Sequence, residues 1–365
     1  MRLWIVGGGT GGHVYPALAV AEALQAVEPD AHLLWVGGQG GMEADLVIRE
    51  GLDFRSIPAG GVHGVGPVRM ARNTFRLLQG GWFALRLLRE DRPQVMFTTG
   101  GYLSVPTALA ARLRRVPVAL YLPDVEPGLS VKFVASFAQA IGVTVEDSRA
   151  FLPERKVTIA GYPLGGRVTR WERDTGRQSL GLAGDEPVLL VFGGSRGARS
   201  INRAVIANLE ALLALAQIVH VTGHLDWEEV AEARERLRPE QQDRYHAYAY
   251  LHDDMGAALA AADLVVSRAG ASILGEFPYF GLPAVLVPYP YAWRYQKVNA
   301  AWLADRGAAT VVEDVILGEQ LVPTVAALLD DESRLVAMRQ SARSLARPNA
   351  AGKLAEMILS LGEGA

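Results

Sequence analysis

The chain predicts an α/β protein of two Rossmann-like domains, each a parallel sheet covered by helices on both faces. Three observations lead there. Short apolar runs rich in β-branched residues alternate with helical patterns from end to end, as expected where strands are buried on both faces. Three glycine-rich turns stand where a strand hands over to a helix: Gly7-Gly8-Gly9-Thr10-Gly11-Gly12-His13, Thr99-Gly100-Gly101-Tyr102-Leu103-Ser104 and Phe192-Gly193-Gly194-Ser195-Arg196-Gly197. And 365 residues are long for one core and comfortable for two.

Leu3 to Val6 reads as the first buried strand. The first glycine turn follows, then an Ala/Leu-rich helix over Pro16 to Leu24 with proline in its first turn. His32 to Val36, Val95 to Thr98, Val118 to Tyr121, Ile141 to Val145 and Val157 to Ala160 continue the first series of strands. Turn residues at Gly161-Tyr162-Pro163-Leu164-Gly165-Gly166 mark the domain boundary. A second series then runs through Val188 to Phe192, Ile218 to Thr222, Tyr245 to Tyr250, Asp263 to Ser267 and Ala284 to Val287. Ligands of doubly wound sheets bind at the carboxyl ends of the strands, so two such domains are expected to face each other across a cleft.

Glycine lets backbone N–H groups approach an anion, and the following helix points its positive end at the same place, so three such turns predict phosphate chemistry. Gly7-x-Gly9-x-x-Gly12 also satisfies the dinucleotide fingerprint, but that reading needs an acid after the second strand, where Gly37-Gly38-Gln39 stand. His13 is placed to take a proton from a hydroxyl nucleophile or to contact a phosphate. Arg268 to Glu276 starts another helix after a strand, with Glu276 about two turns in, where a carboxylate can accept from both hydroxyls of a ribose. Gln296 offers a donor and an acceptor to sugar hydroxyls.

The charge distribution adds a surface. No acidic residue lies between Asp53 and Glu90, while Arg55, Arg69, Arg72, Arg76, Arg86 and Arg89 do. Interleaved with Phe75, Leu77, Leu78, Trp82 and Phe83, they make a basic amphipathic stretch that suits either an anionic bilayer or ordinary inward packing. Gly80-Gly81 predicts two short helices there rather than one. Nucleic acid is disfavoured by a net charge of −3 and the lack of an aromatic-basic motif. The histidines show no metal-ligand spacing, and there are no cysteines, so neither metal nor cofactor is expected and a reducing cytoplasm fits. The N-terminus runs directly into the first strand and turn, so no signal peptide is expected.

Several segments carry a resemblance in order and spacing: Gly8 to Pro16 (GGTGGHVYP), Thr99 to Pro106 (TGGYLSVP), Gly193 to Arg199 (GGSRGAR), Ser267 to Glu276 (SRAGASILGE), Gly281 to Pro288 (GLPAVLVP) and Asn299-Ala300. Over nearly its whole length the chain resembles the MurG family of bacterial glycosyltransferases. The resemblance implies a GT-B architecture and metal-independent, inverting transfer of GlcNAc from UDP-GlcNAc to undecaprenyl-linked lipid I, giving lipid II for peptidoglycan. It implies an acceptor-binding and membrane-associating domain over 1–163, a UDP-sugar domain over 164–345 and a C-terminal helix over 346–365, with the protein peripheral on the cytoplasmic side of an anionic cell membrane. UDP-GlcNAc 2-epimerisation, transfer to another lipid and non-enzymatic UDP-sugar sensing remain as alternatives.

By the same resemblance Gly11, Gly12, His13, Gly100, Gly101 and Tyr102 face the acceptor diphosphate. Thr10, Gly11, Gly12, Arg167, Ser195, His252, Arg268, Ala271, Ser272, Ile273, Leu274, Gly275, Glu276 and Gln296 serve the donor, and Arg69, Arg72, Phe75, Arg76, Trp82, Phe83 and Arg86 the membrane patch. Three departures touch donor contacts. Pro123-Asp124 replaces the customary Gln-Asn, Gly165 stands where an Arg is usual with Arg167 two residues on, and Tyr295 replaces a Gln. Asp124 thereby joins the donor contacts and becomes a second candidate base beside His13.

Overall fold

A computed structural model describes residues 1–8, 11–41, 43–60, 66–182, 184–194, 197–291 and 294–363, without the side chains of Pro67 and Arg69. The chain divides into two compact units, Met1–Gly165 with Pro348–Ala365, and Gly166–Arg347. The boundary falls among the turn residues that follow Ala160. The last helix, Ala350–Glu363, belongs to the first unit: a Cβ on Gly142 would collide with its Leu354.

The first unit holds β1 (Arg2–Val6), β2 (His32–Gly38), β3 (Asp53–Ile57), β4 (Val95–Thr98), β5 (Val118–Leu122), β6 (Ala140–Val143) and β7 (Val157–Ile159). They form one parallel sheet in the order β3-β2-β1-β4-β5-β6-β7. The second holds β8 (Val188–Phe192), β9 (Gln217–Val221), β10 (Tyr245–Tyr248), β11 (Leu264–Ser267), β12 (Ala284–Leu286) and β13 (Ala309–Val311), parallel in the order β10-β9-β8-β11-β12-β13. In both sheets the order reverses beside the first strand, which is the doubly wound pattern. Trp4, Val6, Met96 and Leu120 pack into one layer and Leu3, Ile5, Phe97 and Tyr121 into the other, so neighbouring residues of one strand supply opposite cores.

Two expectations about helices need correction. Helix α1 spans Gly11–Val27, so it starts five residues before Pro16. The first N–H groups of a helix lack intrahelical partners in any case, which removes much of the cost of Gly11 and Gly12 there, and Pro16 merely leaves the Gly12 carbonyl without its usual donor. After the short helix α2 (Glu43–Arg49), a single helix α3 spans Pro67–Asp91 straight through Gly80-Gly81. Packing demands the first of them: a Cβ on Gly80 would run into the carbonyl oxygen of Pro58, whereas one on Gly81 would make an ordinary contact, 3.6 Å from Pro106 Cβ.

Candidate active site

In the first unit the carboxyl ends of β1 and β4 carry two interlocked glycine turns. A Cβ on Gly7 would lie 3.0 Å from Thr99 Oγ1 and 3.1 Å from the His13 carbonyl, so the turns meet without side chains between them. Thr99 Oγ1 donates to the His13 carbonyl at 2.8 Å, and His13 Nδ1 stands 2.8 Å from the Thr99 carbonyl oxygen. A carbonyl only accepts, so that partner assigns the proton to Nδ1 and leaves the lone pair on Nε2. Burial holds the His13 pKa below its ordinary 6.5, while the negative charge of Asp124 and the bond to Thr99 work the other way. The result is an imidazole that is neutral at pH 7 with a basic Nε2, the state a general base needs.

Gly100 and Gly101 adopt left-handed backbone (φ 97° and 84°), and a Cβ on either would approach the His13 ring, at 3.6 Å from Cε1 and 3.8 Å from Cδ2. Helix α4 (Ser104–Leu113) follows, its Ser104 hydroxyl donating to the Gly101 carbonyl at 2.6 Å. The structure thus brings Gly100, Gly101 and His13 together, with Gly11 and Gly12 in the same helical turn and Tyr102 one residue beyond. Burial, and next the charge of Glu43, raises the Tyr102 pKa, so its hydroxyl stays a donor. Asp124 follows β5 and acts on two groups: it opposes the fall of the His13 pKa, and after burial it helps drive Tyr121 well above the usual tyrosine range. Thr10 lies outside the described residues.

In the second unit the turn after β8 again needs glycine. Gly194 and Gly197 are left-handed (φ 86° and 74°), and a Cβ on Gly197 would overlap the Thr222 carbonyl. The helix Arg199–Ala207 begins two residues later, and Ser195 lies outside the described residues. After β11, Arg268 is only 8% exposed. Its Nη1 donates to the Val287 carbonyl at 3.1 Å and to Asp314, its Nη2 donates to Ser200 at 2.6 Å, and its guanidinium lies 5.2 Å from the centre of the Tyr289 ring. Arg268, expected among the donor contacts, thus ties the ends of β11, β12 and β13 to the start of the helix after the glycine turn.

Ala271 and Ser272 lead into the helix Ile273–Phe280, which contains Leu274 and Gly275 and puts Glu276 in its first turn rather than its second. Burial raises the Glu276 pKa from 4.5 to about 7 despite a hydrogen bond from Ser272, and its Oε2 is buried with no hydrogen-bond partner. Such an oxygen is a ready acceptor for a hydroxyl. Gln296, in the helix Tyr295–Ala304, accepts from the Tyr289 N–H at 2.8 Å through Oε1, which holds the proline-rich strand end against that helix. His252 is exposed, its ring 4.6 Å from that of Tyr250, which in turn stacks on His224 at 5.9 Å. Arg167 bonds Asp253 at 3.1 Å, beside His252.

Helix α3 resolves its two readings by face. Asn73, Ala84 and Leu88 point inward, while Arg72, Phe75, Arg76, Leu78, Trp82, Phe83 and Arg86 are exposed, Phe75 and Trp82 each at 60%. An apolar ridge flanked by arginines therefore faces solvent. Arg69's side chain lies outside the described residues. Among the described residues no helix is long and apolar enough to cross a membrane.

Ser200 and Asp314 were not legible as site residues, because each acts through a partner far away in sequence. Thr99 opens the second glycine turn, but its bonds to His13, 86 residues away, carry no local signal.

Two doubly wound sheets with glycine turns and helix starts at their strand ends, a neutral histidine in one unit and an acceptor carboxylate in the other, define a nucleotide-sugar-handling enzyme of the two-domain glycosyltransferase type. Residues 3–143 match the glycosyltransferase family 28 N-terminal domain and residues 188–354 the family 28 C-terminal domain. A transferase from Roseiflexus sp. (strain RS-1), described as UDP-N-acetylglucosamine–N-acetylmuramyl-(pentapeptide) pyrophosphoryl-undecaprenol N-acetylglucosamine transferase, is 43% identical, the alignment covering 99% of this chain and 95% of that one. The protein of the same description from Desulforudis audaxviator is 38% identical over 99% and 98%. The crystal structure of Acinetobacter baumannii MurG matches at a TM-score of 0.74 and 27% identity, covering 98% of this chain and 99% of that one. The chain belongs to glycosyltransferase family 28, in the group of these GlcNAc transferases.

Proposed function

We propose that the protein transfers GlcNAc from UDP-GlcNAc, with inversion, to the 4-hydroxyl of undecaprenyl-diphosphate-linked MurNAc-pentapeptide, a step of peptidoglycan synthesis. The observation that carries this reading is the 43% identity, over 99% of the chain, to a transferase of that description. The chemistry of the two units agrees with it. His13 Nε2 takes the proton of the attacking hydroxyl, and the charge of Asp124 stabilises the imidazolium that forms. The hydroxyl oxygen bonds the anomeric carbon as the bond to the diphosphate breaks, and UDP leaves. The amides of the turn after β8 and of the Ile273–Phe280 helix start stabilise the charge on the leaving diphosphate. Glu276 holds the ribose and Gln296 the sugar. The acceptor diphosphate lies against Gly11, Gly12, Gly100 and Gly101, with Tyr102 donating.

The exposed ridge of α3 seats the protein on the anionic cytoplasmic face of the membrane, where its lipid substrate resides. Incubation with UDP-GlcNAc and a short-chain lipid I analogue tests the activity. A disaccharide-lipid product is expected. UDP-ManNAc would instead establish an epimerase, and UDP binding without turnover a sensor.

A further inference from the structure

Glu43, the first residue of α2, is fully buried, which a carboxylate tolerates only when its surroundings are built for it. Here they are glycines. A Cβ on Gly8 would overlap Glu43 Oε1, one on Gly41 would overlap both carboxylate oxygens, and one on Gly37 would lie 3.1 Å from Cγ. The Gly38 N–H donates to Oε1 at 2.9 Å. The end of β2, the loop to α2 and the turn after β1 thus close around a single side chain.

Gly8 also borders the candidate site, and a Cβ on Gly38 would lie 3.5 Å from the Tyr102 hydroxyl and 3.6 Å from Glu43 Oε1. The Gly8 carbonyl oxygen is 3.3 Å from where a Gly101 Cβ would stand, and that same point is 3.8 Å from His13 Cδ2. Glu43, Gly8, Gly101 and His13 therefore stack in series, and the Glu43 charge is felt at Tyr102. We propose that Glu43 is a positioning residue for the acceptor side: its side chain is the solid backing that holds the Gly8 turn against Gly101 and His13. The inference rests on the reading that these turns receive the acceptor. It also changes the meaning of part of the first glycine turn, because Gly8 makes room for a protein carboxylate rather than for a substrate phosphate.

Two perturbations test the backing from opposite sides. Glu43→Ala empties the cradle, and Gly8→Ala drives a methyl group into the carboxylate. Each should lower kcat/KM for the lipid acceptor analogue at least tenfold while the Kd for UDP, measured by calorimetry, stays within twofold. Glu43→Gln, which keeps the shape and the acceptor for Gly38, should stay within threefold of the parent. Glu43→Asp withdraws the carboxylate by one methylene, so Gly8→Ala combined with it should recover at least fivefold over Gly8→Ala alone.

A second readout needs no turnover. In 15N-histidine-labelled protein the His13 titration midpoint should lie below 6.5 and rise toward it in both alanine variants as the turn opens to water. Should Glu43→Ala fail to fold, the Gly8→Ala pair decides. Parent protein that makes no product would refute the transferase reading while leaving the titration to judge Glu43. An unchanged His13 midpoint, or acceptor kinetics within twofold of the parent in the folded alanine variants, would overturn the proposal.

Discussion

Replacing Glu276 with glutamine should stabilise the second unit in a pH-dependent way while weakening its hold on UDP. The folded protein raises the Glu276 pKa from 4.5 to about 7 because its carboxylate is buried, with Oε2 unpartnered. A raised carboxylate pKa means that the protonated form is the one folding favours. Its contribution is fully present below pH 4.5 and is lost as pH rises through about 7. With each pKa unit worth roughly 1.36 kcal/mol, the folded state carries a penalty of about 3 kcal/mol at pH 8.5 and about 1 kcal/mol at pH 5. Glutamine cannot ionise, so its stability advantage over the parent should grow by about 2 kcal/mol between those pH values.

For a unit of this size that corresponds to a divergence in Tm of roughly 4–8 °C. Urea or thermal unfolding of both proteins at pH 5 and 8.5 measures it directly, and groups that titrate in both cancel. The same change should weaken UDP binding at least tenfold, as expected from losing a charge-assisted hydrogen bond worth about 1.5–3 kcal/mol. A stability difference that does not vary with pH would refute the reasoning, because it would mean that Glu276 is not held above its ordinary range.

Three further outcomes follow from the geometry. His13→Ala should cost about 10²–10⁴ in kcat with UDP affinity intact, and parent kcat/KM should fall on the acid side with a midpoint below 6.5, as imidazole protonation removes the base. Asp314→Ala leaves the Arg268 guanidinium buried without its counter-charge; equilibrium unfolding should show a loss of about 3–5 kcal/mol, accompanied by weaker UDP binding. A Phe75→Glu and Trp82→Glu double variant removes the centre of the α3 ridge and should abolish sedimentation with anionic vesicles while leaving turnover of a short-chain, water-soluble acceptor unchanged.

Most of the fold was legible because buried parallel strands write themselves as apolar runs. Two strands escaped, and both are sheet edges. The β3 segment Asp53-Phe54-Arg55-Ser56-Ile57 leaves all but Ile57 at least partly exposed, and β13 is three residues with only Ala309 buried. The first has no apolar pattern to read, and the second is too short to stand out from the turn and helix around it. Local propensity breaks α3 at Gly80-Gly81 because it knows nothing of the Pro58 carbonyl that demands glycine at position 80.

The site divides the same way. His13, Gly100, Gly101 and Glu276 sit in glycine turns or at a helix start and announce themselves locally. Glu43 reads as one more helix glutamate until Gly8, Gly37 and Gly41 are seen folded around it. Arg268 reads as the first residue of a helix-opening segment, and its ties to Asp314 and Ser200, 46 and 68 residues away, show only once the sheet brings them to it.

The configuration of the transferred sugar is the most direct readout of an inverting transfer based on His13. With UDP-α-GlcNAc and the short-chain lipid acceptor, NMR of the purified product should show GlcNAc joined to the 4-oxygen of MurNAc through a β linkage, formed at least a hundredfold more slowly by His13→Ala. An α linkage, attachment at another oxygen, or undiminished product from His13→Ala would contradict it.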